Sequence, residues 1–212
     1  MYSPSLTHVA YPAEHRQNGN VSYSLILRDV VNKKEVARIY TFYDYGSRGG
    51  IPWWSPDGTR ILLSALPEFA THEEIVYEEF EPYEGGGDLY SISKKGEIVR
   101  LSTLAEKYVT RQKDYIWSPD GGKVAFLLRI EDGDDWSDWQ LSVLDISTGI
   151  VTNYCIESEL LPIWSPDSKK VLIHIPSPVK DYQHDVLLVD LENGFAVRIA
   201  EQAKASRWME AP

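Results

Sequence analysis

Trp117-Ser118-Pro119-Asp120-Gly121 decides the fold of this chain, because the chain writes it repeatedly. It recurs as Trp54-Ser55-Pro56-Asp57-Gly58 and as Trp164-Ser165-Pro166-Asp167-Ser168. A weaker copy, Tyr2-Ser3-Pro4-Ser5, opens the sequence, and a remnant stands at Trp208. Each copy has a local physical meaning. Pro fixes φ for the second position of a type I turn. Asp accepts a backbone hydrogen bond from nearby, and Gly takes the positive φ that follows. Tyr115-Ile116-Trp117 precedes the turn and Lys123–Leu128 follows it, so two β-rich runs flank a tight turn and predict a hairpin. Trp117 is read as a packing residue. A Trp that stacks on a ligand is the alternative, but the same residue stands at the same place in three repeats.

Outward from the signature, each unit carries a second hairpin. In the first unit it is Ser24–Val30 followed by Glu35–Tyr40. In the second, Asp88–Ile92 turns at Lys94-Lys95-Gly96 into Ile98–Leu101. In the third, Leu141–Ile146 turns at Ser147-Thr148-Gly149 into Ile150–Tyr154. In the fourth, Val186–Leu191 turns at Glu192-Asn193-Gly194 into Phe195–Ile199. Four short strands, A to D, therefore make one unit. Starts at 2, 54, 117 and 164, with the remnant at 208, give unit lengths of 52, 63, 47 and 44 residues. Four strands at that period predict an all-β fold of about four antiparallel β-propeller blades. A single sandwich would not repeat a signature at this spacing. The expected organisation is one propeller domain over 1–212, with blades at about 2–53, 54–116, 117–163 and 164–207.

Trp-Ser-Pro-Asp-Gly, a β run, Leu-x-x-x-Asp and a Gly turn resemble the WD-repeat-like propeller blades of TolB-like proteins. They are also similar to the N-terminal propellers of prolyl oligopeptidase and dipeptidyl peptidase relatives. The resemblance covers nearly the whole chain and speaks for fold more than function. Two copies depart from it: Tyr2 and Ser5 replace Trp and Asp, and Ser168 replaces Gly. These departures are expected to weaken the turns. Such relatives carry six or seven blades, so four units are few. Ala205–Met209 looks like a lone strand A. It either completes the first unit and closes a four-bladed ring, or belongs to a longer, open propeller. The resemblance favours the open form, whose bare edges attract other strands and self-association.

The chain has 212 residues, room for one sizeable β domain. Seven Trp and 13 Tyr suit many half-buried strands. No apolar run approaches the ~20 residues that span a bilayer. The first residues show no basic-then-apolar leader, although the resemblance implies a periplasmic or secreted setting. One cysteine, Cys155, excludes an internal disulfide and leaves the compartment open. A net charge of −11 argues against a nucleic-acid partner.

Connections from strand B to strand C vary in length, and long loops on a rigid scaffold are where binding usually resides. They are read as Pro12–Asn20, Leu66–Gly87, Arg129–Trp139 and Pro176–His184. From Leu66 to Asp88 stand eight acids, including Glu78 and Glu79, and no Lys or Arg. From Arg129 to Trp139 stand five acids, including Asp134 and Asp135, against Arg129. The two segments carry −12 together, so the remaining residues sum to +1. As the same connection type in neighbouring units, they are expected side by side on one negative face. Tyr83, Trp136 and Trp139 stand among the carboxylates and could anchor a basic protein or peptide. The competing reading is a solvated rim whose aromatics fold back onto the blades.

No catalytic, cofactor or metal site is assigned. Asp132-Gly133-Asp134-Asp135 with Asp138 offers oxygen ligands, but its spacing is not that of a calcium loop. His72-Glu73-Glu74 lacks the second His of a zinc-protease helix. His174 is read as packed, His8, His15 and His184 as isolated, and Cys155 as buried or inert. There is no Gly-x-Ser-x-Gly elbow. The expected role is a non-catalytic scaffold. The alternative is the substrate-gating propeller of a prolyl-oligopeptidase-type serine peptidase.

Overall fold

A computed structural model describes residues 2–17, 20–40, 53–65, 87–107, 110–132, 135–136, 138–179, 183–205 and 208. The chain is all-β, and the described residues build four antiparallel sheets with a turn of 3-10 helix at Leu104–Glu106. It divides into two compact units, Met1–Arg111 and Gln112–Pro212.

The first unit holds two sheets. One pairs β1 (His8–Gln17), β2 (Asn20–Asp29) and β3 (Lys34–Tyr40) in that order. The other pairs β4 (Trp53–Trp54), β5 (Arg60–Ala65), β6 (Asp88–Ser93) and β7 (Ile98–Arg100). Alternate residues of each strand face the other sheet. Ala10, Leu25, Leu27 and Ile39 from the first meet Trp54, Ile61, Leu63, Tyr90 and Ile92 from the second in one core. That is blade-on-blade packing, with burial of each large side chain stabilising by about 1.5–3 kcal/mol.

The second unit repeats the plan. β9 (Lys123–Asp132) lies between β8 (Thr110–Trp117) and β11 (Gln140–Asp145), and β12 (Val151–Glu157) pairs with β11. The short β10 (Asp135–Trp136) adds to the end of β9. The last sheet is β13 (Ile163–Trp164), β14 (Lys170–Pro176), β15 (His184–Asp190) and β16 (Phe195–Ala200). Ala125, Leu141 and Val143 pack on Trp164, Val171, Ile173 and Val189.

Every copy of the signature closes the same turn. Ser55, Ser118 and Ser165 each donate a backbone N–H to the carbonyl five residues on, at 2.9 Å. Each Ser hydroxyl donates to the Asp of its own turn, Asp57, Asp120 or Asp167, at 2.6 Å. Gly58 and Gly121 take φ of +65° and +73°. The degenerate copies keep this geometry. Ser3 donates its N–H to His8 O at 2.8 Å, and Leu6 takes φ +56°. Ser168 takes φ +60° where Gly stands in other copies. The turn is thus held by its Ser hydroxyl and Pro more than by Gly. Trp54, Trp117 and Trp164 are all buried, at 9, 7 and 5% exposure, whereas Tyr2 is 59% exposed.

Two loop boundaries read from the sequence shift. β1 and β2 pair continuously from His8↔Asp29 to Gln17↔Asn20, so the stretch read as the loop Pro12–Asn20 is mostly a long ribbon. The stretch Arg129–Trp139 is partly a hairpin, with Glu131↔Trp136 and Asp132↔Asp135 paired. From Pro12 onward the inward positions of β1 are Ala13 and the polar His15, so no apolar alternation shows and the sequence reads as a loop there.

Candidate functional site

The acidic segments fall unevenly on the described residues. Glu78, Glu79 and Tyr83 lie outside them, as does Asp134. Asp135 and Trp136 are placed by their backbone, on β10. Asp88 does not belong to a solvated acidic loop. It is fully buried, accepts from Arg100 Nε at 2.8 Å and from Ser102 Oγ at 2.9 Å, and pairs with the Arg100 guanidinium.

Trp139 stands at the start of the β11 hairpin, where its carbonyl accepts from Ser158 N–H at 2.8 Å. Its ring already carries cations of its own chain. Lys113 Nζ lies 4.3 Å and the Arg129 guanidinium 4.9 Å from the ring centroid. Such contacts stabilise by about 0.5–1 kcal/mol when exposed. They hold the indole against β8, which carries Lys113, and β9, which carries Arg129.

Beside it the charge is crowded. Glu157 ends β12, in register with Gln140 at the start of β11. Its carboxyl is held above the ordinary range, first by desolvation and then by the charges of Asp138 and Glu159. A raised carboxyl near like charges is a common mark of a functional surface, although networks of structural charges produce it too. Glu159 lies on the connection leaving β12, and its carboxylate pairs with His184 Nε2 at 2.9 Å. Among the described residues this end of the second unit gathers Asp138, Glu157 and Glu159 with the Trp139 indole. The acids can accept a cation, and the Trp139 ring beside Asp138 in the chain already holds Lys113 and Arg129.

Several placements were invisible in the sequence. His184 is not isolated: it pairs with Glu159, and its ring centroid lies 6.3 Å from that of His174. His15 is not isolated either, contacting Ser24 Oγ at 3.1 Å and Arg38 Nη1 at 2.8 Å. Cys155 is exposed rather than buried, because a positive φ of 53° within β12 turns it off the packed face. His174 is buried at 1% exposure, as its strand position implied. Asp185, 1% exposed, pairs with Arg198 at 3.0 Å just as Asp88 pairs with Arg100. The only sequence signal for these pairs is an Asp at the start of strand C with an Arg on strand D. No helix among the described residues is long and apolar enough to cross a membrane.

No family model matches the sequence, and no curated protein matches it. Solved structures do. The chain is similar to the β-propeller domain of the Trilobed protease from Pyrococcus furiosus, a propeller of open velcro topology. That match has a TM-score of 0.58 at 14% identity and covers 92% of this chain and 55% of that one. It is similar to a puromycin-hydrolyzing peptidase of Mycobacterium tuberculosis, with a TM-score of 0.52 at 16% identity, over 96% of this chain and 28% of that one. TolB from Acinetobacter baumannii matches at a TM-score of 0.44 and 16% identity, over 95% of this chain and 53% of that one. The chain therefore spans about half the length of the first of these structures. At such identities the likeness speaks for the fold, and the four antiparallel sheets of this chain are blades of the β-propeller type.

Proposed function

We propose that the chain is a non-catalytic β-propeller scaffold that binds a basic protein or peptide through its acidic, aromatic-bearing face. What supports this most is the gathering of three exposed acids, Asp138, Glu157 and Glu159, at one end of the second unit, close enough for the charges of the other two to act on Glu157. Like charges held together cost stability, and a cationic partner relieves that cost while gaining steering at low salt. Trp139 supplies an apolar edge beside them, and the acids of Leu66–Asp88 other than Asp88 add to the same negative character in sequence. The test is titration of a Lys-rich peptide and a neutral peptide of equal length into wild type and into Asp138→Asn/Glu157→Gln/Glu159→Gln. Wild type binds the Lys-rich peptide alone, more weakly above about 0.15 M salt, where the screening length is about 8 Å. Equal affinity of wild type and variant sinks the reading.

A second reading is the propeller part of a serine peptidase. The likeness to the propeller domain of the Trilobed protease favours it. An adjoining catalytic domain with a Gly-x-Ser-x-Gly elbow in the same open reading frame discriminates the two.

A further inference from the structure

The connection that leaves the last sheet crosses it strand by strand. After β16, Ala203 donates its backbone N–H to His184 O on β15 at 2.8 Å. Two residues on, the Ala205 N–H donates to the side chain of His174 on β14, reaching Nε2 at 3.0 Å. Trp208 then donates its indole N–H to Ile163 O on β13 at 3.2 Å. This last bond repeats one already present in the sheet before: Trp164 donates its indole N–H to Ile116 O at 3.1 Å. Trp208 thus occupies the place of a signature Trp, and the connection, the strap, is held at three described residues, Ala203, Ala205 and Trp208.

The middle point differs in kind from the other two. Two of the acceptors are backbone carbonyls, which do not titrate near neutral pH. The third is an imidazole nitrogen, and it accepts only while unprotonated. With Nε2 accepting, the ring proton must sit on Nδ1, which is buried and has no hydrogen-bond partner among the described residues. A second proton would place an N–H donor against the Ala205 N–H donor, and a charge where little solvent reaches.

We infer that His174 is a pH-operated latch: taking up a proton at Nε2 breaks the bond to Ala205 and frees the strap from the last sheet. Among the described residues, no facing group offers the protonated ring a compensating partner. From β15, His184 faces it at 6.3 Å between centroids, and protonation there adds a like charge. From the incoming connection, Glu159 donates its backbone N–H to His174 O at 3.3 Å, but its carboxylate is engaged by His184. From the strap, Lys204 adds another positive charge. Burial first, then the charges of His184 and Lys204, hold the imidazole below its ordinary range, and a bond that only the unprotonated ring accepts pulls the same way. A folded-state value below the unfolded one means the docked strap is fully stable above the ordinary His value of ~6.5 and is lost as pH falls below it.

Amide exchange of Ala205 reads the latch directly, with each rate referred to its intrinsic value at that pH. In wild type, protection of Ala203 and Ala205 falls by about tenfold or more between about pH 7.5 and about pH 5, a window that spans the ordinary His value. His174→Gln keeps an acceptor that does not titrate, so its Ala205 protection stays flat. His184→Gln keeps the wild-type response. Pairing the Ala205 amide shift with the His174 ring shift in one nuclear magnetic resonance titration of wild type needs no variant, and the two report one midpoint. Flat protection in wild type, a surviving pH response in His174→Gln, or two separate midpoints overturns the latch.

Discussion

The Oγ of Ser168 accepts a hydrogen bond from the backbone N–H of Asp120 at 3.1 Å, joining the signature turns of successive sheets in the second unit. In the first unit the same two turns meet at Gly58, where an added Cβ would lie 2.9 Å from Pro4 Cδ. One position of the repeat thus serves one purpose, contact with the preceding turn. At 58 only a hydrogen fits; at 168 the side chain has become the contact.

Gly58→Ala is therefore expected to cost more than the positive φ alone, about 1 kcal/mol or more, because the turn must also back away from Pro4. Ser168→Ala keeps the strained φ and loses the bond, and should cost about 1 kcal/mol. Gly121→Val, at φ +73°, should cost about 1 kcal/mol or more. Chemical denaturation of the three variants against wild type measures all of these. A Ser168→Ala variant as stable as wild type removes the contact argument.

The turn acids set a pH dependence. Asp57, Asp120 and Asp167 are each held below the ordinary carboxylate range, first by the Ser hydroxyl and next by a backbone N–H. Their folded values lie below the unfolded one, so the stability they bring is complete above the unfolded value of about 3.9 and is lost as pH falls through the folded ones. The share of thermal stability that these turn acids bring should be constant from neutral pH to about pH 5 and should fall steeply below about pH 4. Ser118→Ala, which removes a buried hydroxyl bonded to Asp120 and Lys123, should cost about 1–2 kcal/mol at neutral pH and flatten the acid limb. An unaltered acid limb in that variant argues against the turn carboxylate as its cause.

Asp88 is fully buried under Arg100, Ser102 and the Ala105 N–H, which donates to it at 3.2 Å. Asp88→Ala leaves those donors unpaired. Arg100 reaches solvent, so the loss should fall below that of a wholly buried pair, at about 2–3 kcal/mol. Equilibrium unfolding checks it. A loss under about 0.5 kcal/mol would mean that Arg100 simply turns out to water.

Much of the fold was legible because the signature is a local code. Ser, Pro and Asp specify their turn within five residues, and the Trp before them marks the buried face, so copies can be counted along the chain. Even Ser3-Pro4-Ser5-Leu6 obeys the code, though Leu6 at φ +56° has no local signature. The candidate site was legible only as charge. Which acids stand together depends on register and on the connections between sheets, as with Glu159 and His184, 25 residues apart. The same holds for Lys113 over Trp139 and for Asp88 under Arg100. Cross-strand partners of this kind leave no periodic trace in the sequence.

Crowding at the acidic face carries a stability cost that substitution should reveal. A carboxyl whose folded value is raised is best tolerated when protonated, and its charged form works against the fold once pH rises through that value. Glu157→Gln should therefore raise the melting temperature at neutral pH and leave it unchanged at about pH 3.5, below the ordinary Glu value of ~4.3. Scanning calorimetry at the two pH values decides it, and a lower melting temperature at neutral pH would mark Glu157 as a structural acid.

The most direct test of a face built for a basic partner is the titration of the Glu157 carboxyl by carbon-detected magnetic resonance, alone and with a saturating Lys-rich peptide. Free, the group should titrate above the ordinary Glu value of ~4.3, and Asp138→Asn should bring it part of the way back. With the peptide bound it should fall toward or below that value, as an opposite charge replaces the like ones. A carboxyl that titrates normally when free, or that does not move when the peptide is added, contradicts the account.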